Sequence, residues 1–117
     1  MVEKIEHIGI AVKDIEQANT VYENLLGVAP YKMEKVESEG VNTSFFQTGE
    51  SKIELLQATN PESAIAKFIA KKGEGIHHIA FAVKDIKKEM IRLSELGFTI
   101  LNEEPKRGAD NKLVCFI

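Results

Sequence analysis

The sequence predicts an α+β fold in which two paired βαβββ modules form a curved mixed sheet around a cleft. Three observations lead there. An eleven-residue segment occurs twice, each copy leads into apolar residues at helical spacing, and three strand-like runs bounded by turns follow the first helix. The repeat aligns Ile5-Glu6-His7-Ile8-Gly9-Ile10-Ala11-Val12-Lys13-Asp14-Ile15 with Ile76-His77-His78-Ile79-Ala80-Phe81-Ala82-Val83-Lys84-Asp85-Ile86. The offset is 71, and eight of eleven positions are identical. A length of 117 residues suits one domain, so residues 1–117 are read as a single domain holding both copies.

The first module, about 1–58, opens with the repeated strand. Its helix carries Ile15, Ala18, Tyr22 and Leu25, with Asp14 placed to cap it and Gly27 to end it. Strands follow over 31–37, 41–48 and 52–57, separated by turns at Ser38-Glu39-Gly40 and Gly49-Glu50-Ser51. A connecting helix, about 60–73, takes Asn60 as its cap and Pro61 in its first turn, and buries Ile65, Phe68 and Ile69. Gly73-Glu74-Gly75 links the modules. The second module, about 76–117, repeats the strand and the helix, with Ile86, Met90, Leu93 and Leu96 on the apolar face, Asp85 as cap and Gly97 at the end. Strands over 99–102 and 112–117 follow. Symmetry calls for a further strand equivalent to 52–57, which would follow Ile117; the second module is read as lacking it.

Composition narrows the function. Apolar residues make up 44% and charged residues 28%, enough to build a core. No apolar run approaches the roughly 18–20 residues that span a bilayer, and Met1-Val2-Glu3-Lys4 does not begin a secretory signal. A membrane partner is therefore not expected. The net charge is −3 and the lysines are scattered among acids, which argues against a nucleic-acid surface. Cys115 is the only cysteine, so no internal disulfide forms and a cytoplasmic setting fits. It lies in the apolar run Leu113-Val114-Cys115-Phe116-Ile117 and is read as a core residue.

All three histidines fall in the two equivalent strands. Side chains alternate along a strand, so His7 shares a face with Ile5, Gly9 and Ala11, and His78 with Ile76, Ala80 and Ala82. The opposite faces, Ile8-Ile10-Val12 and Ile79-Phe81-Val83, should pack against helices. A lone strand histidine is usually structural. Two at equivalent sites of a duplicated module can converge in one concavity, where neutral imidazoles ligate a divalent metal. His77 points to the other face and is read as packed or hydrogen-bonded. Glu54 lies in the apolar strand Lys52-Ile53-Glu54-Leu55-Leu56-Gln57; it faces water or, if Ile53 and Leu55 face the helices, the same concavity as His7. Gln57 is a weaker ligand candidate, on the face of Ile53. A second carboxylate would come from the strand beyond Ile117, giving a ring of N and O ligands. These ligand types do not separate Co²⁺, Mn²⁺, Zn²⁺, Ni²⁺ and Mg²⁺.

The paired modules and paired histidines resemble the vicinal-oxygen-chelate superfamily (glyoxalase, bleomycin-resistance and dioxygenase proteins), and within it the methylmalonyl-CoA epimerase family. The likeness runs over essentially the whole chain. The segments Ile5 to Val12 and Gly73 to Ala80 fit the superfamily; Pro61-Glu62-Ser63-Ala64-Ile65-Ala66-Lys67-Phe68 and Glu104-Pro105-Lys106 favour the epimerases. The resemblance implies metal ligands at His7, Glu54 and His78, with a fourth, a Glu, in a terminal strand after Ile117. It implies an acyl-CoA substrate, a homodimer, and proton abstraction at C2 of methylmalonyl-CoA through a metal-stabilised enolate. An acid proposed as base in some relatives falls near Thr43, which cannot do that job, so no acid–base residue is assigned. A glyoxalase I-like lactoylglutathione lyase, a ring-cleaving dioxygenase and a metal-free ligand-binding module of the bleomycin-resistance type are the alternatives.

Overall fold

The computed structural model describes residues 1–117. The elements run β1 (Val2–Ala11), α1 (Ile15–Leu26), β2 (Lys32–Val36), β3 (Val41–Thr48), β4 (Ser51–Ala58), α2 (Ala64–Lys72), β5 (Gly75–Val83), α3 (Ile86–Glu95), β6 (Lys106–Arg107) and β7 (Leu113–Val114). The chain divides into two compact units, one of Lys4–Phe81 and one of Met1–Glu3 with Ala82–Ile117. No helix is long and apolar enough to cross a membrane.

The Lys4–Phe81 unit carries the predicted first module. Its strands belong to a five-stranded mixed sheet of order β2-β3-β4-β1-β5. β1 and β4 are parallel, with Gly9 beside Glu54 and Ala11 beside Leu56. β3 is antiparallel to both β4 and β2, and it sets Phe45 opposite Glu54. Helix α1 supplies the crossover layer. Asp14 Oδ1 accepts from the backbone N–H of Glu16 and Gln17 (3.0 and 3.1 Å), and Gly27 ends the helix at φ 74°, a left-handed conformation that glycine adopts without Cβ strain. One face of the sheet packs under α1: Val12, Ile15, Phe46 and Leu55 form the centre, with Ile10, Ala18, Tyr22, Leu26 and Ile53 around them. Burying each large side chain of this set contributes about 1.5–3 kcal/mol. Leu26, not the expected Leu25, completes the stripe. Eleven residues past Ile15 bring a helix back to the same face at about 100° per residue, whereas ten do not, and Leu25 is 71% exposed.

Helix α2 starts three residues later than expected. Ser63 is its cap, accepting from Ala66 N–H at 3.1 Å, while the Asn60 side chain accepts from Glu62 N–H (2.9 Å) and holds a separate turn ahead of the helix. Ile65 is buried and Phe68 and Ile69 are half-buried, as their spacing predicts.

In the second unit, Asp85 caps α3 through Lys88 N–H (3.1 Å), and Gly97 follows the helix at φ 95°. The expected strands over 99–102 and 112–117 are replaced by a two-stranded sheet pairing Lys106 with Val114 and Arg107 with Leu113. Leu101 N–H does donate to Phe116 O (2.8 Å), but Phe116 N–H donates to the Asn102 side chain instead of the backbone, so no ladder forms there. Cys115, placed just after this short ribbon, is half-buried, not a core residue. A further correction concerns β5. The bulky face expected to pack against helices is open, with Ile79 at 50% and Phe81 at 56% exposure; β5 is the last strand of the sheet order and has a strand neighbour on one side only.

Candidate metal centre

The face of the sheet opposite α1 carries the polar residues. β1 presents His7, Gly9 and Ala11 there, β4 presents Glu54, and β3 presents Thr43 and Phe45. Parallel register seats Glu54 beside Gly9, and antiparallel register walls it with Phe45. Glu54 is only 4% exposed, so the water-facing reading of this residue is excluded. The register also explains Gly9. A Cβ there would lie 2.3–2.7 Å from the His78 ring, so the histidine occupies the space a side chain would need.

His7 joins the groups together. Its Nε2 lies 2.9 Å from Nε2 of His78, with the rings near perpendicular. Its Nδ1 lies 3.1 Å from Glu54 Oε2 and 3.5 Å from Glu6 Oε1, yet this buried nitrogen makes no aligned hydrogen bond. His7 thus meets His78 through one ring nitrogen and Glu54 through the other. Glu6 was not anticipated, because strict alternation assigns it to the helix-facing side. It reaches the cluster with a long side chain at the start of the paired segment, where Lys52, register partner of His7, holds Glu6 Oε1 at 3.2 Å. The adjacency of Glu6 to His7 was the available signal. Gln57 takes no part: its Oε1 accepts from Ile15 N–H (2.6 Å) at the start of α1. His77 is packed and hydrogen-bonded, edge-on to Phe68 (4.9 Å) and with Nδ1 2.9 Å from Nδ1 of His78. Thr43 is fully buried and its hydroxyl has no partner.

The electrostatics keep both imidazoles neutral. Burial, reinforced by the neighbouring His7 and His77, pushes His78 down to about 4. Burial also lowers His7, against a smaller opposing pull from Glu6. For Glu6, burial works upward, but Lys52 and His7 outweigh it and hold the carboxyl below its ordinary value. Neutral imidazole nitrogens and carboxylate oxygens are the donor types that divalent cations take. The 2.9 Å between His7 Nε2 and His78 Nε2 is a hydrogen-bond separation. Glu6, His7 and Glu54 bring one donor atom each within 4.8 Å of one another.

Residues 6–116 match the Glyoxalase/Bleomycin resistance protein/Dioxygenase superfamily. The chain belongs to this superfamily. Among similar members, the ethylmalonyl-CoA/methylmalonyl-CoA epimerase of Cereibacter sphaeroides is 39% identical over 119 residues, covering 100% of this chain and 89% of that protein. A variant of the Streptomyces coelicolor methylmalonyl-CoA epimerase, in complex with 2-nitronate-propionyl-CoA, superposes with a TM-score of 0.92 at 32% identity, over 99% of this chain and 87% of the other. The epimerase from Mycobacterium tuberculosis gives 0.94 at 30% identity, over 98% and 78%. Within this fold Glu6, His7 and Glu54 form one group of converging donor atoms, and His78 meets that group through His7 alone.

Proposed function

We propose that this chain is a methylmalonyl-CoA epimerase that inverts C2 of its acyl-CoA substrate by removing and returning one proton, with a divalent cation held by His7, His78 and Glu54. The observation that carries this reading is the pair of histidines at equivalent positions of a duplicated strand, 2.9 Å apart and backed by a buried carboxylate. The names and extent of the similar superfamily members support the substrate class.

The cation, when bound, supplies Lewis-acid polarisation of the thioester oxygen and the carboxylate, which makes the C2 proton a stronger acid. The rest is the work of the chain. His7 and His78 remain unprotonated at neutral pH because burial disfavours the charged ring, so their lone pairs stay available. Gly9 gives the His78 ring its room. Glu54 offers carboxyl oxygens from a dry position walled by the fully buried Phe45, and Lys52 orients Glu6 beside His7. Thr43 has no basicity to offer, and the acid–base pair is left unassigned. We also read the chain as a cytoplasmic homodimer; the exposed Ile76, Ile79 and Phe81 on outer strand β5 support self-association, which light scattering on the eluted protein would measure.

The test is deuterium exchange at C2 of methylmalonyl-CoA in deuterated water, with protein loaded in turn with each of the five candidate metals. Exchange that disappears on chelation and in His78→Ala is expected. Absence of exchange with every metal would overturn the assignment.

A further inference from the structure

His77 lies on the strand face away from His7, yet it touches the cluster. Its Nδ1 is 2.9 Å from Nδ1 of His78, with ring centroids 5.1 Å apart and planes at 88°. The other side of the ring is held edge-on by Phe68 of α2, at 4.9 Å and 86°. The equivalent residue in the first copy of the repeat is Glu6, and it sits in the equivalent place: Glu6 Oε1 is 3.5 Å from Nδ1 of His7. In both copies, then, the residue before the candidate ligand reaches the Nδ1 of that ligand.

A neutral imidazole has one N–H. For Nε2 of His78 to offer its lone pair, the hydrogen must sit on Nδ1, and a half-buried N–H needs an acceptor there. The opposite tautomer would aim N–H from Nε2 at His7 and leave no lone pair for a cation. We propose that His77 is a positioning residue for His78: its Nδ1 accepts the Nδ1–H of His78, which fixes the ring and the tautomer that leave Nε2 free to bind a divalent cation. This rests on His78 being a metal ligand, as set out above. Glu6 stands at the equivalent position beside His7 Nδ1 but makes no aligned hydrogen bond to it, and the Glu54 carboxylate lies nearer, at 3.1 Å. Phe68 contributes by locking the His77 ring; a surface histidine without that contact could not hold its neighbour.

The experiment compares zinc and cobalt affinity, by titration calorimetry, in the full chain and in His77→Phe, His77→Asn and His78→Ala. Phenylalanine keeps the ring against Phe68 and removes the acceptor; asparagine restores an acceptor at the reach of Nδ1. Affinity should fall about 10–100-fold in His77→Phe, recover in His77→Asn, and vanish in His78→Ala. In the zinc-loaded protein the Nδ1 proton of His78 should be observable by NMR in the wild type and His77→Asn, and lost to water exchange in His77→Phe. Wild-type affinity in His77→Phe, beside a His78→Ala that has lost it, overturns the proposal alone. Full affinity in His78→Ala overturns the metal reading and the proposal with it. Should His77→Phe fail to fold, His77→Ala takes its place, and equal losses in His77→Ala and His77→Asn also overturn the proposal.

Discussion

The two repeat segments that contain β1 and β5 share Ile, His, Ile, Ala, Val, Lys, Asp and Ile at equivalent positions, yet β1 lies inside the sheet between β4 and β5, while β5 is its outer strand. The inner copy puts Ile10 and Val12 into the core under α1. The outer copy leaves Ile79 and Phe81 half open. The three positions at which the copies differ are informative. Glu6 against His77 gives the two histidines different neighbours at Nδ1. Gly9 against Ala80 makes room for His78 on one side only. Ile10 against Phe81 separates a core strand from an outer one. What the copies keep is the strand, the candidate ligand histidine and the aspartate cap. What they change is the surroundings of that histidine.

The largest expected effect comes from the histidines that the copies share. His7→Ala and His78→Ala should each abolish metal binding measured by elemental analysis after dialysis, while circular dichroism stays close to wild type. Unchanged stoichiometry in both would remove the proposed centre. Next is Gly9 against Ala80. Gly9→Ala drives a methyl group into the His78 ring and should cost about 1–3 kcal/mol together with metal affinity. Ala80→Gly should cost only ~0.5–1 kcal/mol, the backbone entropy of a glycine in a strand, and leave metal affinity alone. Urea unfolding of the two variants measures the contrast, and equal losses of affinity would deny the asymmetry.

The pH response separates the copies further. His78 is held at about 4 and His7 below its ordinary value, whereas an unfolded histidine titrates near 6.5. As pH falls, the unfolded chain takes up these protons first, so stability is full above roughly pH 6.5 and declines towards pH 4. Urea midpoints of the metal-free protein should trace that decline, and His78→Ala should flatten it. A midpoint independent of pH over this window would contradict the burial of the rings. The smallest difference lies in the caps. Asp14 accepts two backbone N–H groups and Asp85 one. Replacement by Ala should cost about 1 kcal/mol at each, more at Asp14, as thermal unfolding would show.

The repeat, both caps and the alternation of β1 are visible in the sequence because each depends on a few neighbouring residues. Glu54 is visible for the same reason: an acid between Ile53 and Leu55 has only one face left to it. Glu6 is not, since alternation describes where a side chain starts and not how far it reaches. The Asn60 turn hides the true cap at Ser63 because both residues carry good capping side chains three positions apart. The openness of Ile79 and Phe81 depends on sheet order, and the loss of a strand over 99–102 depends on where one side-chain amide of Asn102 bonds. Both are set by tertiary context.

The Gln57 side chain bonded to Ile15 N–H joins the end of β4 to the first turn of α1, across 42 residues of chain. Gln57 stands at the close of the last strand of the first module, and Ile15 at the opening of its helix. The amide of Ile15 therefore cannot become accessible to solvent by fraying of the helix start alone; β4 has to release it. In hydrogen exchange this amide should behave as a reporter of the module opening as one cooperative unit, slower than a first-turn amide of α3, where only the Asp85 cap shields the backbone. One glutamine thus makes the helix and the strand that carries Glu54 open together.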